Sequence, residues 1–295
     1  MKMLLIINPC SGKIKAKDSL FDILKIFCKQ GYTVTTHITT KRGNGTEVVE
    51  NTGKEYDIIV CCGGDGTLNE VITGMIKGDV KVPLGYIPAG STNDFAKTLG
   101  LETDLVKATK AIVAHKEEVS VDIGKFGSSK YFTYIASFGL FTSVSYKTQQ
   151  SAKNALGHMA YILEGISDLA NVNTYHVSFE ADGKKYQGDY IYGGISNSTS
   201  IGGVVKFDPK LIDLNDNLFE IIMLKRPQNP NDMMKIVAGV TTSDYSDTSV
   251  FEFVKASNIK INMPNETSWA LDGEEAKGKK TMEIQNIHSA IKIIR

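Results

Sequence analysis

The segment from Ile58 to Ile76 constrains the fold more than any other part of the chain. Three apolar residues, Ile58, Ile59 and Val60, lead through Cys61-Cys62 into Gly63-Gly64-Asp65-Gly66-Thr67. Such a run reads as a strand buried on both faces, as in a parallel sheet. Leu68, Val71, Ile72, Met75 and Ile76 then recur at the spacing of an amphipathic helix. Thr67 and Glu70 have capping-box spacing, which predicts the helix start at Thr67. The glycines let backbone approach a ligand, and a helix N-terminus offers N–H groups to an anion. Asp65 is placed for a metal ion or a proton. A phosphate-bearing ligand with a cation suits this turn; a tight βα connection that needs glycine for its geometry is the simpler alternative.

The same alternation extends over the first ~125 residues, the pattern of a parallel sheet wrapped by helices. Strands are expected at Met3–Ile7, Tyr32–Ile38, Asp57–Cys62 and Pro83–Ile87. Leu20, Ile23, Leu24 and Phe27 share a helix face that Gly31 ends, and Leu105–Ala114 is a further helix. After about Ile123 the pattern changes to short runs with period-2 alternation: Lys130–Ser137, Thr174–Ala181, Lys185–Ile195, Leu218–Leu224 and Asn258–Ile261. Turns rich in Gly, Asn and Asp separate them, which predicts an antiparallel sandwich. One helix with Leu156, Ala160, Leu163, Ile166 and Leu169 on its buried side interrupts these runs, and a second is expected around Met233–Val240. Lys225–Asn231, with two prolines, reads as a linker. The expectation is therefore an α/β N-terminal domain, Rossmann-like with a mainly parallel sheet (1–125), and a C-terminal β-sandwich domain (126–285), with strand 286–295 returning to the first.

Composition excludes several function classes. The 33 Lys and Arg balance the 33 Asp and Glu, so no overall field argues for nucleic acid. No apolar run approaches the roughly 20 residues that span a bilayer, and Met3–Ile7 followed by Asn8-Pro9 does not read as a secretory signal. A cytosolic chain is expected. The four cysteines, Cys10, Cys28, Cys61 and Cys62, are too few and too irregular for a disulfide framework or a zinc site.

Four further segments carry chemistry-bearing residues. Asn8-Pro9-Cys10-Ser11-Gly12 follows the first strand, where phosphate loops occur. Pro88-Ala89-Gly90-Ser91-Thr92-Asn93-Asp94 follows another; Ser91 suits a helix cap, and its hydroxyls and carboxylate suit a nucleotide or a hydrated Mg²⁺. Asp213-Leu214-Asn215-Asp216-Asn217-Leu218 reads equally as a polar β-turn or as an oxygen-ligand cation site. Asp272-Gly273 is a two-residue hairpin signal, and Glu274 beyond it can project as a general base.

Together these segments resemble the diacylglycerol kinase catalytic-domain family of bacterial soluble lipid kinases, over nearly the whole chain. Gly63-Gly64-Asp65-Gly66-Thr67 is shared with NAD kinases and phosphofructokinases, whereas residues 88–96 and Asp272-Gly273-Glu274 are more particular to lipid kinases. The resemblance implies ATP held by Asn8, Pro9, Cys10, Ser11, Gly12, Thr39, Gly63 to Glu70 (with Leu68 and Asn69 among them) and Ser91. It implies Asp65 and Asp94 organising Mg²⁺ and phosphates, and Glu274 deprotonating the acceptor hydroxyl. It also implies a structural Mg²⁺ at Asp213, Asp216 and the Leu218 carbonyl, although Asn217 stands where relatives usually have glycine. An ATP- and Mg²⁺-dependent lipid kinase of phospholipid biosynthesis, acting on diacylglycerol, follows as the expectation. It would be a dimer that meets its lipid substrate at the inner membrane face through peripheral contact. Lys13, Lys15 and Lys17, and Lys277, Lys279 and Lys280, are candidate lysine clusters for that contact. An NAD kinase and a non-catalytic nucleotide sensor are the alternatives.

Overall fold

A computed structural model describes residues 1–11, 15–91, 93–140, 173–201, 205–207 and 212–295, with the side chains of 15–18, 200, 201, 205 and 206 outside the description. The expected helix carrying Leu156 to Leu169 lies outside the described residues, as do Gly12, Thr92 and the side chains of Lys13, Lys15 and Lys17. The chain divides into two compact units, Met1–Asp122 with His288–Arg295, and Ile123–Ile287.

In the first unit the elements run β1 (Lys2–Ile7), α1 (Lys15–Lys29), β2 (Thr33–Ile38), α2 (Asn44–Thr52), β3 (Ile58–Gly63), α3 (Asp65–Lys77), β4 (Leu84–Pro88), α4 (Asp94–Thr98), α5 (Leu105–Ala114) and the start of β5 (Glu118–Phe126). The strands β2, β1, β3 and β4 lie side by side in that order and all parallel, with Ile7 opposite both Ile38 and Cys62 and with Gly63 opposite Pro88. Every residue of β3 is buried, as its unbroken apolar run requires. Met3, Leu5 and Ile7 of β1 and Ile58, Val60 and Cys62 of β3 pack with Ile23 and Phe27 of α1 and Ile112 of α5 in one core. Gly31 ends the first helical segment at φ +82, the left-handed position glycine takes without strain. Because β1 pairs with β2 on one side and β3 on the other, the strand order reverses between β1 and β3 while all strands stay parallel. Ligands of open α/β sheets bind at such a point, beyond the carboxyl ends of the strands.

The second unit contains β6 (Lys130–Phe132), β7 (Ile135–Gly139), β8 (Tyr175–Ala181), β9 (Lys184–Ser196), β10 (Ser200–Ile201), β11 (Val205–Lys206), β12 (Phe219–Lys225), α6 (Pro230–Thr242), β13 (Phe251–Ala256), β14 (Asn258–Asn262), β15 (Ser268–Leu271), β16 (Glu274–Lys277) and most of β17 (Thr281–Ile294). Its described ladders are antiparallel. The first half of β9 pairs with β8, and its second half pairs with β7 and β12, so one long strand serves two layers. Trp269, Phe126 and Phe138 meet in the core, with ring centroids 5.1 and 4.9 Å from the indole. The fold is thus an α/β domain followed by a β-sandwich.

Two expectations change. The run Lys130–Ser137 is not one strand: it breaks at Thr133-Tyr134, whose N–H groups go to a carboxylate described below instead of a ladder. Lys225–Asn231 is a connector with a helix start inside it, where Asn229 caps α6 by accepting from Asp232 N and Pro230 takes the first position.

Candidate functional site

The turns after β1, β3 and β4 interlock at the carboxyl ends of the parallel strands. Asn8 continues the β1 ladder by donating N–H to Cys62 O at 3.0 Å. Its side-chain amide donates to Thr67 Oγ1 at 2.9 Å, and its Oδ1 accepts from Cys10 N at 2.9 Å. Ser11 Oγ accepts from Gly64 N at 3.2 Å. The first turn is thereby fastened to both the glycine-rich turn and the helix that follows it. Thr39 ends β2, buried, with its N–H on Ile7 O at 2.8 Å.

Helix α3 starts at Asp65 and not at Thr67, with Gly64 as its cap residue. Thr67 and Glu70 form no capping box. The Thr67 hydroxyl is engaged by Asn8, and the Glu70 carboxylate accepts from Gly43 N at 2.7 Å and Gly45 N at 3.0 Å. Glu70 therefore supplies, from another helix, the capping acceptor that Gly43, which has no side chain, cannot give the α2 N-terminus.

The turns after β3 and β4 touch backbone to backbone. A Cβ on Gly90 would stand 2.6 Å from Gly64 Cα, and one on Gly64 would stand 3.2 Å from Gly90 Cα. The Asn93 side chain closes the second turn: its Oδ1 accepts from Gly90 N at 2.9 Å and its amide donates to Gly90 O at 2.9 Å. Ser91 is exposed and does not cap α4; the cap position belongs to Asn93, at φ +50. Asp94 opens α4 and donates its N–H to Asp65 Oδ2 at 3.3 Å, which brings the two aspartates into one site. Lys97 Nζ lies 3.2 Å from Asp94 Oδ1. Gly90→Ala is expected to destabilise the protein by about 1–3 kcal/mol through overpacking. A denaturant melt of the variant beside the parent protein checks this.

Cys61 and Cys62 are core strand residues. Burial raises the Cys61 thiol well above its ordinary value, with the neighbouring Cys62, Glu70 and Asp65 adding to the effect. Burial raises Cys62 to about 12. Neither reaches the thiolate form that reactivity requires.

In the second unit, Asp272 and Gly273 have φ +49 and +84, the pair of left-handed residues of a type I′ hairpin joining β15 to β16. The buried Asp272 carboxylate accepts from Thr133 N at 2.6 Å, Thr133 Oγ1 at 2.8 Å, Tyr134 N at 3.0 Å and Ile135 N at 3.1 Å. Burial raises its pKa, and these four donors oppose the rise. Glu274 is the exposed first residue of β16, two positions beyond this anchor. The hairpin and the projecting carboxylate are therefore both present.

Asp213 and Asp216 each close a local turn, accepting from Asn215 N at 3.0 Å and Leu218 N at 2.9 Å. Asn217 takes φ +65, so asparagine fills the left-handed position for which the family resemblance implies glycine. The structural Mg²⁺ implied by the resemblance does not fit this turn as built. Lys255 Nζ lies 3.7 Å from Asp216 Oδ2 and 2.9 Å from Glu220 Oε1. Among the described residues no group of three or more His, Cys, Asp or Glu is placed to hold a metal. No described helix is long and apolar enough to cross a membrane.

The comparisons with known proteins agree with this architecture. Residues 2–126 match the family model for the diacylglycerol kinase catalytic domain, and residues 135–295 match that for the YegS C-terminal NAD kinase beta sandwich-like domain. A curated diacylglycerol kinase of Bacillus subtilis (strain 168) is 32% identical over 292 residues, covering 98% of this chain and 95% of the relative. One of Staphylococcus aureus (strain MRSA252) is 31% identical over 271 residues, covering 92% of this chain and 85% of the relative. A crystal structure of a diacylglycerol kinase from Bacillus anthracis str. Sterne superposes with TM-score 0.75 at 21% identity, over 99% of this chain and 96% of that one, and shows the shared fold. With both domains matched and relatives aligned over most of their length, the chain belongs to the diacylglycerol kinase catalytic-domain family and is a lipid kinase.

Proposed function

We propose that the chain transfers the γ-phosphoryl group of ATP to the hydroxyl of diacylglycerol, giving phosphatidic acid, with Mg²⁺. The observation that carries the ATP half is the interlocking of three turns at one end of the parallel sheet, with Asp65 and Asp94 joined through the Asp94 N–H. Backbone N–H groups and the N-terminus of α3 suit the phosphates, which Asn8 to Gly12, Thr39, Gly63 to Glu70 and Ser91 would surround. The oxygen-only donor set of Asp65 and Asp94 fits a magnesium ion. When bound, the ion would offset the charge that spreads over the transferred phosphoryl group. Lys97 beside Asp94 adds a positive charge to the same site. A lipid hydroxyl ionises far above neutrality, so a carboxylate must take its proton as attack begins; Glu274 is that base.

Diacylglycerol is supported by the names of the curated relatives. Radiolabelled phosphate transfer from ATP to diacylglycerol, phosphatidylglycerol, a long-chain base and a polyprenol tests the acceptor. Label in diacylglycerol is the expected result, and label only in another lipid reassigns it. NADP⁺ formed from NAD⁺, or tight ATP binding with no transfer to any acceptor, overturns the reading.

Contact with the membrane is peripheral in this proposal. A groove of ≈ 730 Å³ in the second unit is lined by Lys125, Lys130, Lys260, Lys277 and Lys279, together with Phe126 and Met282. The lining also carries three carboxylates: Glu180, Glu283, which lies 3.5 Å from Lys260, and Asp182, which accepts from Ser257 N and Asn258 N. Lys277 shares β16 with Glu274, three residues and thus roughly 10 Å along the strand. Each lysine near an anionic surface is worth about fivefold in affinity. The double variant Lys277→Gln/Lys279→Gln is therefore expected to bind phosphatidylglycerol vesicles at least about tenfold more weakly at low salt. Sedimentation with vesicles checks this, and binding equal to the parent protein removes the groove from the contact.

A further inference from the structure

We infer that the Lys255 ammonium is the resident cation of the Asp213–Leu218 turn, standing where the family resemblance puts a structural magnesium ion. The placement follows from strand register. Antiparallel β12 and β13 set Glu220 directly opposite Lys255, so their side chains meet across the ladder. The Glu220 side chain is fully buried, and Lys255 is its ion-pair partner at 2.9 Å. From there the same ammonium reaches Asp216 Oδ2 at 3.7 Å. One protein-borne charge thus faces both the buried strand carboxylate and the carboxylate of the turn.

A second contact ties the same two pieces of chain. Asn217 Oδ1 accepts from Ser257 Oγ at 3.3 Å, at the corner between β13 and β14. Glycine at this position has no side chain with which to make that bond. The residue that departs from the family pattern and the lysine two positions before Ser257 therefore act on one corner. Together they hold the turn against β13, the task a bridging ion would perform. A divalent ion bound to Asp216 would sit about 2.1 Å from its oxygen, in an octahedral shell of oxygens. It would then lie within a few ångströms of the Lys255 charge and be repelled by it. The turn is held by protein charge, and its structure is independent of divalent metal. This inference goes beyond the proposed reaction and is unaffected by the identity of the acceptor lipid.

The probe is Mn²⁺, whose unpaired electrons broaden nearby amide signals, added to the full-length protein without nucleotide. In the wild type, the amide signals of residues 213–220 are expected to stay sharp up to millimolar Mn²⁺. The difference in melting between EDTA and Mg²⁺ should be the same in the wild type and in Asp216→Asn. Lys255→Met, which leaves Glu220 buried without its partner, is expected to melt at least about 5 °C lower. Broadening centred on Leu218 in the wild type at near-stoichiometric Mn²⁺, removed by Asp216→Asn, would overturn the inference. So would a Lys255→Met protein that melts with the wild type. If that variant does not fold, the wild-type Mn²⁺ spectrum decides alone.

Discussion

Replacing Glu274 with glutamine is expected to lower phosphoryl transfer by roughly 10²- to 10⁴-fold, the range a positioned general base supplies. ATP affinity should be unchanged, because the residues proposed to surround the nucleotide belong to the ends of β1, β2, β3 and β4, the turns after them and the start of α3. Glu274 is exposed at the start of β16, and glutamine keeps its shape, so folding should not change. Neighbouring Glu275 provides the control. Alternation along the strand points it to the opposite face, where its Oε1 accepts from Ser268 Oγ at 2.9 Å. Glu275→Gln should retain near-normal turnover. Single-turnover transfer with the lipid and ATP titration, run on both variants, separate chemistry from binding. Turnover in Glu274→Gln equal to that of the parent protein would remove Glu274 from the mechanism.

The fold was legible where one segment carries its own explanation. β3 is apolar throughout because both its faces are covered, and Leu105–Ala114 emerged with its expected ends, capped by Asp104 through Lys107 N. What escaped the sequence were bonds whose partners lie far along the chain. Glu70 at capping-box distance from Thr67 is a sound local reading, yet its carboxylate serves Gly43 and Gly45, which belong to a different helix. Ser91 looked like a cap, but the Asn93 side chain closes the loop, its amide donating to Gly90 O while its Oδ1 accepts from Gly90 N. The packing of Gly64 on Gly90 likewise has no trace in either turn taken singly. For the candidate site, sequence named the turns that meet, whereas the bonds that join them had to be seen in three dimensions.

Asp272 is the clearest such case, and its replacement carries the largest expected effect on stability. The Asp-Gly pair is fully accounted for by the hairpin, so nothing in the sequence asks for more. Yet its two oxygens bind three successive backbone N–H groups and a hydroxyl of residues 133–135, more than a hundred positions earlier. These are the residues at which the run from Lys130 to Ser137 breaks, so one carboxylate replaces the ladder there. In Asp272→Asn an NH₂ group must face either Thr133 N or the N–H groups of Tyr134 and Ile135. Every orientation leaves buried donors opposed, at about 1–3 kcal/mol each. A total loss of about 3 kcal/mol is expected, read from denaturant unfolding at neutral pH. The pH dependence has a definite sign. Burial raises the native Asp272 pKa, so above the ordinary carboxylate range the native state holds this proton more tightly than the unfolded chain. Its contribution to stability is therefore full below that range and lost as pH rises through the native value. Asparagine does not titrate, and the variant should lack that slope. Since Glu274 stands two residues beyond the anchor, kcat should fall more than ATP affinity. A variant with parental stability and turnover would show that the Asp272 bonds neither hold the hairpin nor position the base.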